Sequence, residues 1–205
     1  FNAGSGADSI TFNLLFGSDL ETVNTGTVID GGSGGDTIGL LANASAGGST
    51  ADAQIRGGAG ADLITAQFGS GGGVAGEFGS LTADGGAGAD TISVVFSATS
   101  AATGGYVAGA GSAGVFGGGE GNDSISVIFD NAAVGTGGQV SLGSLRGGAG
   151  VDTLTLGANL GITGEESQIA GSFNGGAGAD ALVFSGNNVV SAGVATFSGM
   201  GNGSA

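Results

Sequence analysis

The chain has 205 residues, 51 of them Gly, with no Cys, Pro, Trp or His. Seventeen acidic residues against two basic ones give a formal net charge of −15. Such a chain repels phosphate backbones and anionic bilayers, which excludes nucleic acid as a partner and leaves cations as the natural ones. A collagen would need Pro, a disulfide framework would need Cys, and no apolar run reaches the ~18 residues of a membrane-inserted span.

Seven short segments recur in chain order: FNAGSGADSI from Phe1, IDGGSGGDTI from Ile29, IRGGAGADLI from Ile55, ADGGAGADTI from Ala83, FGGGEGNDSI from Phe116, LRGGAGVDTL from Leu145 and FNGGAGADAL from Phe173. Their aspartates are Asp8, Asp36, Asp62, Asp90, Asp123, Asp152 and Asp180, separated by 28, 26, 28, 33, 29 and 28 residues. A fixed period of this size marks a repeat architecture in which each unit buries its apolar face only against its neighbours.

The pattern around each aspartate predicts the local structure. Two residues after it stands Ile10, Ile38, Ile64, Ile92, Ile125, Leu154 or Leu182, and two further on Phe12, Leu40, Ala66, Val94, Val127, Leu156 or Phe184. The residues between are mostly Ser, Thr or Gly. This alternation predicts a strand with one buried face. Seven residues before each aspartate the position is again apolar: Phe1, Ile29, Ile55, Ala83, Phe116, Leu145, Phe173. Several spacers hold a second strand-like run before the next turn, as in QVSLGSL ending at Leu145 and GEFGSLT ending at Thr82. Each repeat therefore reads as turn, strand, loop, strand. With Gly this frequent and no sustained 3.6-residue pattern, helices are not expected. The expected fold is all-β: a parallel, right-handed-type β-solenoid of about seven stacked coils, one domain over residues 1–205. Coils ~4.8 Å apart would make a rod ~34 Å long. A start at Phe1, inside a turn and without an initiator Met, leads us to expect a segment of a longer chain or polymer.

The turns point to metal. Glycines open backbone angles that aim carbonyl oxygens inward, and a carboxylate follows at a fixed offset. Calcium is a hard cation that takes six to eight oxygens, main-chain carbonyls and Asp among them. Two stacked turns could supply about that many, which puts a site between neighbouring coils. Seven bare aspartates stacked at ~5 Å would repel by about 0.8 kcal/mol per pair in water and about 3 at an effective dielectric of 20. Divalent ions in the seams would turn that repulsion into bridging. The metal ligands expected are Asp8, Asp36, Asp62, Asp90, Asp123, Asp152 and Asp180, around about six inter-coil calcium ions.

Gly85-Gly86-Ala87-Gly88-Ala89-Asp90-Thr91-Ile92-Ser93 resembles the G-G-x-G-x-D-x-U-x nonapeptide of the repeats-in-toxin (RTX) calcium β-roll. The runs from Gly31, Gly57, Gly118, Gly147 and Gly175 match it too, and the run from Ala3 has Ala for the first Gly. The resemblance implies that the Asp carboxylates and turn carbonyls are the ligands, and that the chain belongs to a bacterial protein secreted by a dedicated exporter, folding outside the cell or at its surface. The usual β-roll sets two nonapeptides in tandem. Here one motif occurs per ~28 residues, so a larger coil with calcium along a single edge is expected.

Other features take secondary places. Arg56 and Arg146 share one repeat position, and stacking would set Arg56 between Asp30 and Asp84 in an ion-pair ladder. The outward strand positions, among them Ser9, Thr11, Thr37, Thr65, Thr91, Ser124 and Thr153, form a hydroxyl array similar to some ice-binding faces. Tyr106, in the long spacer, is a possible contact point. No His, Cys or Lys is present to act as base or nucleophile, so the chain is not expected to be an enzyme. The expected function is structural: an extracellular repeat protein whose calcium ions stiffen a surface layer, filament or adhesin, with self-association end to end or into a lattice. A calcium-triggered secretion and folding module of a larger enzyme or toxin is the first alternative. An ice- or carbohydrate-binding solenoid is the second.

Overall fold

The computed structural model describes residues 1–16, 27–44, 53–70, 81–98, 114–130, 139–159, 168–185 and 195–198. These form an all-β parallel solenoid. One sheet is built from the strands that follow each aspartate: β1 (Ser9–Phe16), β3 (Thr37–Ala44), β5 (Leu63–Ser70), β7 (Thr91–Ala98), β9 (Ser124–Asp130), β11 (Thr153–Asn159) and β13 (Ala181–Ser185). The other holds the strands that lead into each turn: β2 (Thr27–Ser33), β4 (Ala53–Ala59), β6 (Leu81–Ala87), β8 (Val115–Glu120), β10 (Gln139–Ala149), β12 (Gln168–Ala177) and β14 (Ala195–Ser198). Both sheets have seven strands stacked in order of the repeats. Among the described residues there is no helix, hence none long and apolar enough to cross a membrane.

The register follows the sequence alignment. Ile10 pairs with Ile38, Ile38 with Ile64, Ile64 with Ile92, Ile92 with Ile125, and Leu154 lies between Ile125 and Leu182. Ile29, Ile55, Ala83, Phe116, Leu145 and Phe173 make the facing column in the other sheet. The two columns meet inside as one core, with Phe68 and Phe96 stacked at its far side, ring centroids 5.1 Å apart. A one-residue slip would turn every one of these side chains outward, so burial pins the register. In the first and last described coils the apolar positions are less covered: Phe1 is 66% exposed and Phe184 is 52% exposed.

Arg56 pairs in register with Asp30 on one side and Asp84 on the other, as the repeat alignment requires. The alignment holds, but among the described residues no Arg–Asp ion pair is closed; Arg146 instead donates from Nε to Ser144 Oγ at 3.1 Å. The hydroxyl positions also align, Ser9 beside Thr37 and Thr91 beside Ser124, with Leu63 interrupting the column. Tyr106, the Gly76–Ser80 part of the run before Thr82, and residues 199–205 lie outside the described residues.

Candidate metal column in the turns

Each turn reverses the chain with two glycines in the left-handed region, such as Gly58 (φ 113°) and Gly60 (φ 131°), or Gly86 (φ 106°) and Gly88 (φ 139°). L side chains rarely adopt these angles, which accounts for the second and third glycines of the motif. Main-chain bonding continues through the bend. The Gly60 N–H donates to Ala87 O at 2.7 Å, and the Thr91 N–H donates to Asp62 O at 2.8 Å. The turns thus stack as tightly as the strands and leave no gap between coils for bulky side chains.

The aspartate is the next residue on the inward side before the Ile column. In the strand alternation Asp36, Ile38 and Leu40 share a face, and all three are buried. Asp36, Asp62, Asp90, Asp123 and Asp152 are each no more than 3% exposed. The structure seats them inside the bend, because their parity is that of the core.

One oxygen of six of the seven carboxylates, all but Asp8, has a fixed task. Asp36 Oδ1 accepts the main-chain N–H of Asp8 at 2.8 Å, Asp62 Oδ1 that of Asp36 at 2.7 Å, and Asp90 Oδ1 that of Asp62 at 2.8 Å. Asp123, Asp152 and Asp180 continue the ladder at 2.8, 2.8 and 2.9 Å. The other oxygen has none. Oδ2 of all seven aspartates is buried without a hydrogen-bond partner.

What faces Oδ2 is another acceptor. A methyl placed on Gly31 would lie 2.6 Å from Asp36 Oδ2 and 2.5 Å from the carbonyl oxygen of Gly57, in the next coil. Those two oxygens are therefore no more than 5.1 Å apart (2.6 plus 2.5). The same arrangement recurs at Gly57 with Asp62 Oδ2 and Gly85 O, at Gly85 with Asp90 Oδ2 and Gly118 O, at Gly118 with Asp123 Oδ2 and Gly147 O, and at Gly147 with Asp152 Oδ2 and Gly175 O. The first glycine of the motif is not in the left-handed region. It is glycine because a carboxylate and a carbonyl lie against its α-carbon. Sequence reasoning missed this second reason for glycine, and also missed that half of six of the seven carboxylates serves the main chain.

Two acceptors facing each other in a buried space are unfavourable unless a proton or a cation lies between them. Burial accordingly pushes the Asp90 carboxyl up to about 6; the Asp62 N–H opposes the rise, and the neighbouring Asp123, Asp62 and Asp84 charges reinforce it. Asp62, Asp123 and Asp152 are raised for the same leading cause, desolvation, with one adjacent aspartate adding to each. Among the described residues no three carboxylates converge on one point. An ion here would take one carboxylate oxygen per coil and complete its shell from main-chain carbonyls, a donor set of oxygen alone.

No family model, curated protein or solved structure matches this chain. The likeness to a repeat β-roll stands at the level of architecture: a parallel β-solenoid with a column of stacked, buried aspartates.

Proposed function

We propose that this chain is an extracellular structural calcium-binding solenoid of RTX type, in which ions held between stacked turns stiffen a bacterial surface layer, filament or adhesin. The observation that carries the reading is the column of seven buried, unpartnered Oδ2 atoms, five of them close to a carbonyl of the next coil. An all-oxygen donor set of carboxylates and carbonyls suits a hard cation, and calcium, with its flexible geometry, suits carbonyls fixed by the turns better than magnesium, which demands near-ideal octahedral geometry. Asp8, Asp36, Asp62, Asp90, Asp123, Asp152 and Asp180 are the proposed carboxylate ligands. Extracellular modules bind calcium with dissociation constants of about 10⁻⁴–10⁻³ M, so a chain exported through a calcium-poor cytosol would become rigid only outside. That coupling also fits a secretion and folding module of a larger protein.

Self-association end to end is part of the proposal. Among the described residues β13 is paired on one side only, by β11, and its Phe184 is half exposed. Open parallel edges of this kind accept another strand. The hydroxyl columns of Ser9, Thr37, Thr91 and Ser124 favour a glycan or ice surface as the second reading, although Leu63 breaks them.

The deciding experiment is circular dichroism with isothermal titration calorimetry. Calcium should raise the strand signal and the melting temperature, chelator should reverse both, and magnesium at equal concentration should not replace calcium. Strand signal and melting temperature indifferent to complete chelation would defeat the reading.

A further inference from the structure

We infer that, among the described residues, five of the six seams between the seven turns are open cation sites, because Ala3 closes the first. This rests on the calcium reading above and adds which seams can be filled.

Five seams share one construction. Asp36 Oδ2 with Gly57 O, Asp62 Oδ2 with Gly85 O, Asp90 Oδ2 with Gly118 O, Asp123 Oδ2 with Gly147 O, and Asp152 Oδ2 with Gly175 O each flank the bare α-carbon of the first motif glycine. A methyl on that carbon would meet both oxygens closer than carbon and oxygen approach. The space is open only while the residue is glycine.

The first turn is different in sequence at that one point. Ala3 is the register equivalent of Gly31, because Asn2 pairs with Asp30 and Ser5 with Ser33 in parallel bridges. Its N–H donates to Asp30 O at 3.0 Å, so its main chain follows the same path as the turns above. Ala3 therefore carries the methyl that the other turns lack, and it packs against the hydrophobic core. Asp8 is also less enclosed than Asp36, Asp62, Asp90, Asp123 and Asp152.

Each open site pairs the carboxylate of one coil with the carbonyl of the next. For Asp180 the register places that second oxygen on residue 199, which follows Ser198 and lies outside the described residues. Asp180 is 9% exposed, more than any of the five central aspartates. The first seam is thus built differently from the five that follow it: Ala3 brings a methyl where they have none.

The test is the number of calcium ions bound per chain, by equilibrium dialysis and elemental analysis, on wild type, Ala3→Gly and Gly85→Ala. Ala3→Gly removes one methyl from a partly buried residue of the first described turn, so the fold should survive it. Ala3→Gly is expected to bind one ion more than wild type, with Gly85→Ala binding one fewer than wild type if it folds. Equal numbers in wild type and Ala3→Gly would overturn the role of Ala3, and fewer than five but not zero in wild type would overturn the five open seams, with the calcium reading intact in either case. Zero ions in folded wild type would remove the calcium reading and the inference with it. If Gly85→Ala does not fold, the comparison of wild type with Ala3→Gly decides the matter alone.

Discussion

The main-chain N–H of Asp62 donates to Asp90 Oδ1 across 2.8 Å, and this bond uses one half of a carboxylate whose other half has no donor. The two oxygens of Asp90 can be separated by substitution. Asn keeps the Oδ1 acceptor and replaces Oδ2 with an NH₂ that can donate to Gly118 O. In chelator Asp90→Asn should match or exceed wild type in stability by about 1 kcal/mol, as a mispaired acceptor becomes a hydrogen bond. In calcium the order should reverse, because the charge that holds the ion is gone. Asp90→Ala strands the Asp62 N–H as well and should cost about 1–3 kcal/mol in chelator. Thermal melts of the three proteins with and without calcium check this. An Asn variant less stable than Ala in chelator would refute the assignment of the two oxygens.

Without metal, the same column should make the fold prefer acid. Burial raises the Asp90 carboxyl from 3.8 to about 6, and raises Asp62, Asp123 and Asp152 in the same direction. A group raised in the folded state binds its proton more tightly there than in the unfolded chain. Its contribution is complete below the unfolded value and is lost as pH rises through the folded one. For Asp90 that window lies between 3.8 and about 6. Urea midpoints measured in chelator should therefore fall as pH rises across this range, and saturating calcium should flatten or invert the trend. A chelated protein whose stability rises with pH there would contradict the buried, unpartnered carboxylates.

Much of this was legible in the chain. The period, the strand alternation and the alignment of Ile38 over Ile64 follow from residue order, because side-chain parity fixes which face is buried. The burial of Asp36 was legible too, since it stands two before Ile38 and shares its side. It went unread because a carboxylate is expected to seek water, and only the neighbouring main-chain N–H offers it a reason to stay inside. The ion pair at Arg56 was over-read. Register sets the residues beside one another, yet an exposed pair gains only about 0–1 kcal/mol and does not fix its side chains. The Oδ2-to-carbonyl relationship was not legible at all, because it depends on how far each turn is offset from the next.

The glycines make a sharp comparison. At Gly57 an added methyl meets Asp62 Oδ2 and Gly85 O, one a buried side chain and the other main chain. Neither can retreat without breaking the ladder, so Gly57→Ala should cost several kcal/mol, above the ~1–3 of ordinary overpacking. Gly117 is next to an equivalent glycine, yet a methyl there finds only Asp84 Oδ1 at 3.7 Å, an ordinary contact, and its φ is not in the left-handed region. Gly117→Ala should be neutral, or stabilising by about 0.4–1 kcal/mol through the unfolded chain. Denaturant midpoints of the two variants test this. Equal costs would mean that glycine in these turns is set by chain flexibility and not by the oxygens packed against it.

The core can be challenged where it depends least on the turns. Phe68 is 1% exposed and stacks on Phe96 with ring planes 18° apart, and it lies six residues beyond Asp62 on the far side of the coil. Its truncation removes apolar burial and leaves a void that stacked main chains on both sides cannot close. Phe68→Ala should therefore cost about 3–5 kcal/mol. Because Asp62 precedes β5 and Phe68 lies toward its far end, the loss should add to that of Asp62→Ala instead of merging with it. Any calcium bound by the turns should remain at wild-type stoichiometry in Phe68→Ala so long as the protein is folded. A variant that stays folded but loses ions along with stability would show that the turns and the core are a single cooperative unit at this distance.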